Sequence, residues 1–191
     1  TCIACGNTMV LKAASLTPKT AMMFAKIYKE AGVPDGVINI VTCSRNEINT
    51  LLDHPDIVGV TFVGSTPVGL KIYERAARNG KRCQALCQAK NHALVMEDCA
   101  LERTVAGVIN SAYGCAGQRC MALSCCVVEE AIADEFVAEL KKQASLIKVG
   151  PAVDKTSKLG PITYKKHYDE VIADIDKGVR EGATLVLDGR N

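Results

Sequence analysis

Apolar positions along this chain fall into short continuous runs and longer helical stripes that take turns. Residues 8–12, Thr8-Met9-Val10-Leu11-Lys12, form a compact apolar run of the kind a buried strand shows. Thr17-Pro18 then supplies a helix N-cap and a first-turn proline, and the stretch AMMFAKIYKEAG carries the predicted helix to Gly32. A second strand is predicted over 37–41 (VINIV), a short helix over 45–53, and a third strand over 58–63 (VGVTFV). Gly64-Ser65-Thr66-Pro67 opens a further helix that ends near Asn79. Strands alternating with helices at this spacing predict βαβ crossovers and a parallel sheet covered on both faces.

From about Cys83 the pattern changes. Residues 93–96 are strand-like, and 100–113 read as a helix with Val105, Val108, Ile109 and Ala112 on one face. A strand is predicted over 123–128, helices over 132–146 and 164–181, and a last strand over 184–187. This predicts a second α/β unit, with the boundary near 88–92 and no internal repeat or low-complexity segment. Neither end reads as a domain terminus, because the chain opens on the approach to a strand and stops just after one.

Composition narrows the class. Hydrophobic residues make up 48% and charged residues 23%, as in a globular core, while aromatics are only 4% with no Trp, so the core must be aliphatic. A formal net charge of +2 suits neither a nucleic-acid footprint nor an acidic tail. No apolar run approaches the ~18–20 residues that span a bilayer, and no signal peptide is expected at the start. The ten cysteines lie in a chain too rich in long helical and strand patterns for a disulfide scaffold. Cys43, Cys83, Cys87, Cys125 and Cys126 sit in or beside apolar runs, where a reduced thiol packs as a small hydrophobe, so a reducing compartment is expected. Cys2-x-x-Cys5 has no second pair and no histidine at ligand spacing, so no metal site is expected.

Three stretches carry candidate chemistry. In FVGSTPVG, 62–69, a strand ends, Gly64 allows a sharp turn, and Ser65 places a hydroxyl where a helix begins. Free N–H groups and the helix dipole there suit a phosphate, although the motif is neither G-x-G-x-x-G nor a P-loop and also reads as an ordinary turn. Lys12 ends a strand, and parallel strands present their C-termini along the edge where ligands bind; a solvated lysine is the simpler reading. In CAGQRCMALS, 115–124, Cys120 follows the fixed cation Arg119 behind the small residues Gly114, Ala116 and Gly117. A thiolate nucleophile needs a lowered pKa, an approach path and donors for an oxyanion. A buried structural thiol satisfies the local pattern equally, and no Cys–His pair is evident among His54, His92 and His167.

Taken together, ACGNTMVLK, AGVPDGVINIV, FVGSTPVG, AKNHALVM, GQRCMA and LGP occur in the order and spacing of the aldehyde dehydrogenase superfamily. GQRCMALS and AKNHALVM resemble the CoA-acylating methylmalonate-semialdehyde dehydrogenase branch, and the likeness covers essentially the whole chain. It implies an α/β fold: part of a Rossmann-like, parallel-sheet NAD-binding domain over 1–88, and part of an α/β catalytic domain over 89–191. By resemblance, Cys120 is the nucleophile that attacks the aldehyde, yields a hydride to NAD and becomes a thioester, with its own N–H helping to bind the oxyanion. Arg119 falls on the residue that recognises the substrate carboxylate, and Lys12 and Ser65, beside Gly64, on contacts to the adenosine ribose and pyrophosphate of NAD. Relatives occur in mitochondria and in bacterial cytoplasm, so a mitochondrial-matrix or cytoplasmic protein, not a secreted one, is implied. A small semialdehyde substrate and a homo-oligomer, dimer or tetramer, are implied as well, with no membrane or nucleic-acid partner.

The departures are informative. Hydrolytic relatives hold a general-base glutamate in E-L-G-G-K, but the matching stretch here is Leu86-Cys87-Gln88-Ala89-Lys90. Leu86 cannot activate water, whereas the thiol of coenzyme A ionises near pKa ~8.5 and needs less help. Acyl transfer to CoA with loss of CO₂ is therefore expected, giving propionyl-CoA or acetyl-CoA, in preference to a hydrolytic enzyme of another branch. Where the family has K-P-S-E, this chain reads Lys12-Ala13-Ala14-Ser15, and Ser15 cannot chelate both ribose hydroxyls. Gln88 replaces a glycine of the branch. The likeness places these residues mid-way along longer relatives, which leaves a non-catalytic fragment as the contrasting expectation.

Overall fold

In the computed structural model, which describes residues 1–44 and 46–190, the chain forms two compact units, Thr1–Cys87 and Gln88–Asn191. Residue 45, where the second helix was expected to start, lies outside the described residues, as does residue 191.

The first unit repeats a strand–helix–strand pattern. Strand β1 (Met9–Lys12) leads through helix α1 (Pro18–Glu30) to the parallel strand β2 (Ile38–Val41), in the register Met9↔Ile38 to Lys12↔Val41. Thr17 occupies the N-cap of α1 but its side chain makes no cap hydrogen bond; the proline sets the first turn instead. The helix stops where Gly32 adopts φ 88°, which lets the Val33 N–H donate to the Tyr28 carbonyl at 3.0 Å and close the last turn. After α2 (Ile48–Asp53), strand β3 (Gly59–Val63) and helix α3 (Thr66–Arg78) lead to strand β4 (Arg82–Leu86), parallel to β3 in the register Gly59↔Arg82 to Val63↔Leu86. Ser44 and Glu47 form a reciprocal box ahead of α2: the Ser44 N–H donates to Glu47 Oε2 at 2.6 Å and the Glu47 N–H to Ser44 Oγ at 3.4 Å. An Arg75–Asp53 fork at 2.8 and 2.5 Å, with Asn79 Nδ2 on the same carboxylate at 2.9 Å, ties α2 to α3 over buried Leu52 and Ala76.

The second unit pairs β5 (Asn91–Val95) with β6 (Leu123–Val128), again in parallel, across α4 (Leu101–Tyr113). Helix α5 (Glu130–Ser145) packs on α4, and α6 (Lys165–Arg180) follows. The core is Val95, Val105, Val108 and Phe136, with Ile109 and Leu140 packed against it. It is aliphatic around a single ring, as the scarcity of aromatics implies.

The α/β class and the parallel pairing agree with the sequence, and three details correct it. Among the described residues the strands of each unit pair two by two and do not merge into one sheet covered on both faces. One helix packs on each pair in the first unit, so Val10 and Val63 stay exposed. Residues 82–86 form a strand that the apolar pattern did not reveal, because a lone arginine and glutamine break the run. Residues 184–187 are not a strand: among the described residues no neighbouring strand offers them a ladder, and the segment after them is held instead by Arg190, which grips Asp188 and Asp176 of α6.

Candidate active site

In the first unit the C-terminal ends of β1 and β2 lie together. Lys12 is half-buried there, and its Nζ stands 3.2 Å from Oγ of the exposed Ser15. Ala13 between them is buried, and its N–H donates to the Val41 carbonyl at 2.9 Å, which fixes the stem from which both side chains project. The two polar groups expected to meet a ribose are thus neighbours.

The β3–α3 turn is built by exclusion. A Cβ at Gly64 would lie 2.5 Å from Cζ of Phe62, so any larger residue would have to displace the ring, and the Gly64 N–H donates to the Leu86 carbonyl at 3.2 Å. Ser65 follows as N-cap of α3 in extended conformation, φ −70° and ψ 146°, with its side chain making no cap bond. Its carbonyl accepts the N–H groups of Val68 (3.1 Å) and Gly69 (2.9 Å), and Pro67 has no N–H. That leaves the exposed Ser65 hydroxyl and the first-turn N–H of Thr66 beside the positive end of the helix dipole, a donor set that fits a pyrophosphate. Leu86 ends β4 opposite Val63, half exposed, so no carboxylate occupies that strand end.

In the second unit the stretch before Cys120 is not a loose small-residue run. Cys115 (φ 53°, ψ 35°), Ala116 (φ 54°, ψ 36°) and Gly117 (φ 69°) make a left-handed turn directly after α4. For the two non-glycine residues this conformation costs about 1–2 kcal/mol each, and such strain collects at functional sites. Gln118 locks the turn: its backbone N–H and its Nε2 both donate to the Cys115 carbonyl, at 3.1 and 3.3 Å, and its Oε1 accepts from Thr163 Oγ1 at 3.3 Å. The next residues curl again, with the Ala122 N–H on the Arg119 carbonyl at 3.0 Å, and leave Cys120 exposed at the bend. Asn91 Nδ2, from β5, donates to the carbonyls of Cys120 and Ala122 at 2.9 Å each. The Arg119 guanidinium lies over Gly114, with no carboxylate paired to it among the described residues.

All ten cysteines are free thiols, and they are not alike. Burial pushes the Cys83 thiol up, and burial followed by the neighbouring Cys125 pushes up Cys126. Both are partly buried, whereas Cys120 is open to solvent. His92 Nδ1 bonds the Lys90 carbonyl at 2.9 Å, and among the described residues no histidine bonds Cys120 and no group of three His, Cys, Asp or Glu side chains could hold a metal ion. Sequence reasoning gave no role to Asn91, Thr163 or the packing of Gly114; Asn91 left a trace only as part of the AKNHALVM stretch, and Gly114 as one of a cluster of small residues.

The sequence signature of the aldehyde dehydrogenase family matches residues 1–191. The chain belongs to the aldehyde dehydrogenase family. Its similarity to malonate-semialdehyde dehydrogenases is extensive: it is 46% identical to malonate-semialdehyde dehydrogenase 1 of Oceanobacillus iheyensis and 48% identical to that of Geobacillus thermodenitrificans, in each case over 98% of this chain and 39% of the relative. Among solved structures, it superposes on the methylmalonate-semialdehyde dehydrogenase of Oceanimonas doudoroffii with a TM-score of 0.94 at 41% identity, covering 100% of this chain and 39% of that one. On the betaine aldehyde dehydrogenase of Staphylococcus aureus in complex with NAD⁺ the TM-score is 0.87 at 29% identity, over 95% and 36%. This aldehyde dehydrogenase chain therefore spans about two fifths of the length of the relatives it matches. Among its described residues no helix is long and apolar enough to cross a membrane.

Proposed function

We propose that the protein carrying this chain oxidises malonate or methylmalonate semialdehyde through a thioester on Cys120 and passes the acyl group to coenzyme A. The observation that carries the reading is the placement of Cys120: an exposed thiol on a bend held by a locked left-handed turn, next to an arginine with no carboxylate partner among the described residues. Arg119 takes the substrate carboxylate and so sets the aldehyde carbon before Cys120. The Cys120 thiolate adds to that carbon, the Cys120 N–H helps to hold the oxyanion, and collapse of the thiohemiacetal with loss of hydride leaves the thioester. NAD, when bound, supplies the hydride acceptor. Lys12 and Ser15 would meet its adenosine ribose, and Gly64 and Ser65 its pyrophosphate.

Residues 1–88 then belong to the cofactor domain and 89–191 to the catalytic domain, of a protein that assembles as a dimer or tetramer. Leu86 directs the second step. An aliphatic side chain cannot take a proton from water, so the already acidic thiol of coenzyme A displaces Cys120, and loss of the carboxylate as CO₂ gives acetyl-CoA or propionyl-CoA. The likeness to relatives named for malonate and methylmalonate semialdehyde supports this substrate class. The test is NADH formation from methylmalonate semialdehyde with and without CoA, in the parent protein and in C120A. Sustained turnover that requires both CoA and Cys120 is expected. Equal rates without CoA would assign a hydrolytic enzyme, and unchanged rates in C120A would remove Cys120 from the chemistry.

A further inference from the structure

We infer that Asn91 is a positioning residue for Cys120, an inference that rests on the reading of Cys120 as nucleophile. Asn91 is the first residue of β5, and its carboxamide reaches across to the bend that precedes β6. Both N–H groups of an amide are usable donors, and here the nitrogen lies 2.9 Å from the Cys120 carbonyl and 2.9 Å from the Ala122 carbonyl. The orientation of the amide follows from chemistry, because both partners are obligate acceptors and only the NH₂ end can face them. The Asn91 carbonyl in turn accepts from Ser124 Oγ at 3.2 Å, so this one residue bonds to positions 120, 122 and 124. The ladder supports the arrangement. Asn91 pairs with Leu123 but His92 with Cys125, and that one-residue shift frees the chain ahead of β6 to curl back over the amide.

Fixing the Cys120 carbonyl fixes the peptide plane on the C-terminal side of the nucleophile, and the Ala122-to-Arg119 hydrogen bond closes the turn around it. Between them they set the direction of the Cys120 Cα–Cβ bond, and hence of Sγ, without touching substrate. A misplacement of about 1 Å at a reacting atom costs on the order of 100-fold in rate, and Asn91 is the side chain that holds this bend to a strand.

The test compares N91D, which keeps the size but presents oxygens to two carbonyls, and N91A, which removes the donor without adding charge. The readouts are the single-turnover burst of NADH without CoA, KM for the semialdehyde and NAD affinity, all in the intact protein, with C120A as reference. The expected result is a burst rate constant lower by roughly 10–100-fold in both variants, with NAD affinity and KM held and the circular dichroism unchanged. A burst as fast as the parent's in either folded variant overturns the positioning role while leaving the nucleophile in place. Loss of the folded signal in both variants assigns Asn91 to the fold and overturns it equally. A burst that persists in C120A overturns the reading of Cys120, and the positioning role with it.

Discussion

The guanidinium of Arg119 lies across the α-carbon of Gly114: a Cβ on Gly114 would stand 2.6 Å from Arg119 Cζ. Gly114 has φ −52°, which any residue adopts, so the glycine is needed for space and not for backbone freedom. Gly114→Ala is expected to push Arg119 aside and weaken recognition of the substrate carboxylate. KM should rise by roughly 10- to 150-fold for methylmalonate semialdehyde, in keeping with loss of a charge-assisted hydrogen bond of about 1.5–3 kcal/mol, and stay unchanged for propanal. Parallel changes for both aldehydes would show that the substitution disturbs Cys120 and not the carboxylate site.

Lys12 Nζ and Ser15 Oγ are 3.2 Å apart, so a longer acid at position 15 would find a cation beside it. Ser15→Glu should tighten NAD binding several-fold and weaken NADP, since a carboxylate accepts from both ribose hydroxyls and repels a 2′-phosphate. Lys12→Met removes a charged donor and should weaken NAD by roughly tenfold or more. Isothermal titration with each nucleotide checks both, and unchanged affinities would place the ribose elsewhere.

Asp188 accepts from Arg190 Nε at 2.8 Å and from the Arg190 N–H at 3.1 Å, and these bonds hold its carboxyl down from the ordinary 3.8 to about 2. The folded value lies below the unfolded one, so the contribution is fully present above pH ~4 and is lost as pH falls through about 2. Asp188→Asn should therefore differ from the parent in stability at neutral pH and converge with it at pH ~2. Denaturant titrations followed by circular dichroism across that range decide it; a difference that persists at low pH would mean that Asp188 acts through something other than its charge.

Much of the fold was legible because its signals are local. Thr17-Pro18 and Ser65-Thr66-Pro67 mark the starts of α1 and α3, and the spacing of Val105, Val108 and Ile109 marks the buried face of α4. The strand at 82–86 was not, since its alternation of Arg82, Gln84 and Leu86 outward with Cys83 and Ala85 inward is too short and polar to stand out. Residues 184–187 show the opposite error: an apolar run has strand propensity, but a strand exists only where a neighbour supplies a ladder. The candidate site divides the same way. Cys120 and Arg119 carry their chemistry in their names, whereas the contacts of Asn91 span 29 and 31 positions and exist only once β5 and β6 have paired. Nor could sequence spacing reveal the left-handed turn at Cys115 and Ala116, because neither residue type favours it and the surrounding contacts impose it.

Leu86 offers the sharpest test of the second step. It ends β4 opposite Val63 and is half exposed, so a carboxylate placed there would be partly solvated and need displace no core side chain. Its backbone role is independent of the side chain, because the Gly64 N–H bonds the Leu86 carbonyl. Leu86→Glu should therefore keep the fold, and it restores the carboxylate at the position where the E-L-G-G-K motif of hydrolytic relatives holds its general base. General-base assistance is worth about 100-fold or more, so NADH formation should continue in the absence of CoA, with the free acid as product. A folded variant that still stops after one burst without CoA would show that the strand end at Leu86 does not face the thioester, and that something other than this leucine blocks hydrolysis.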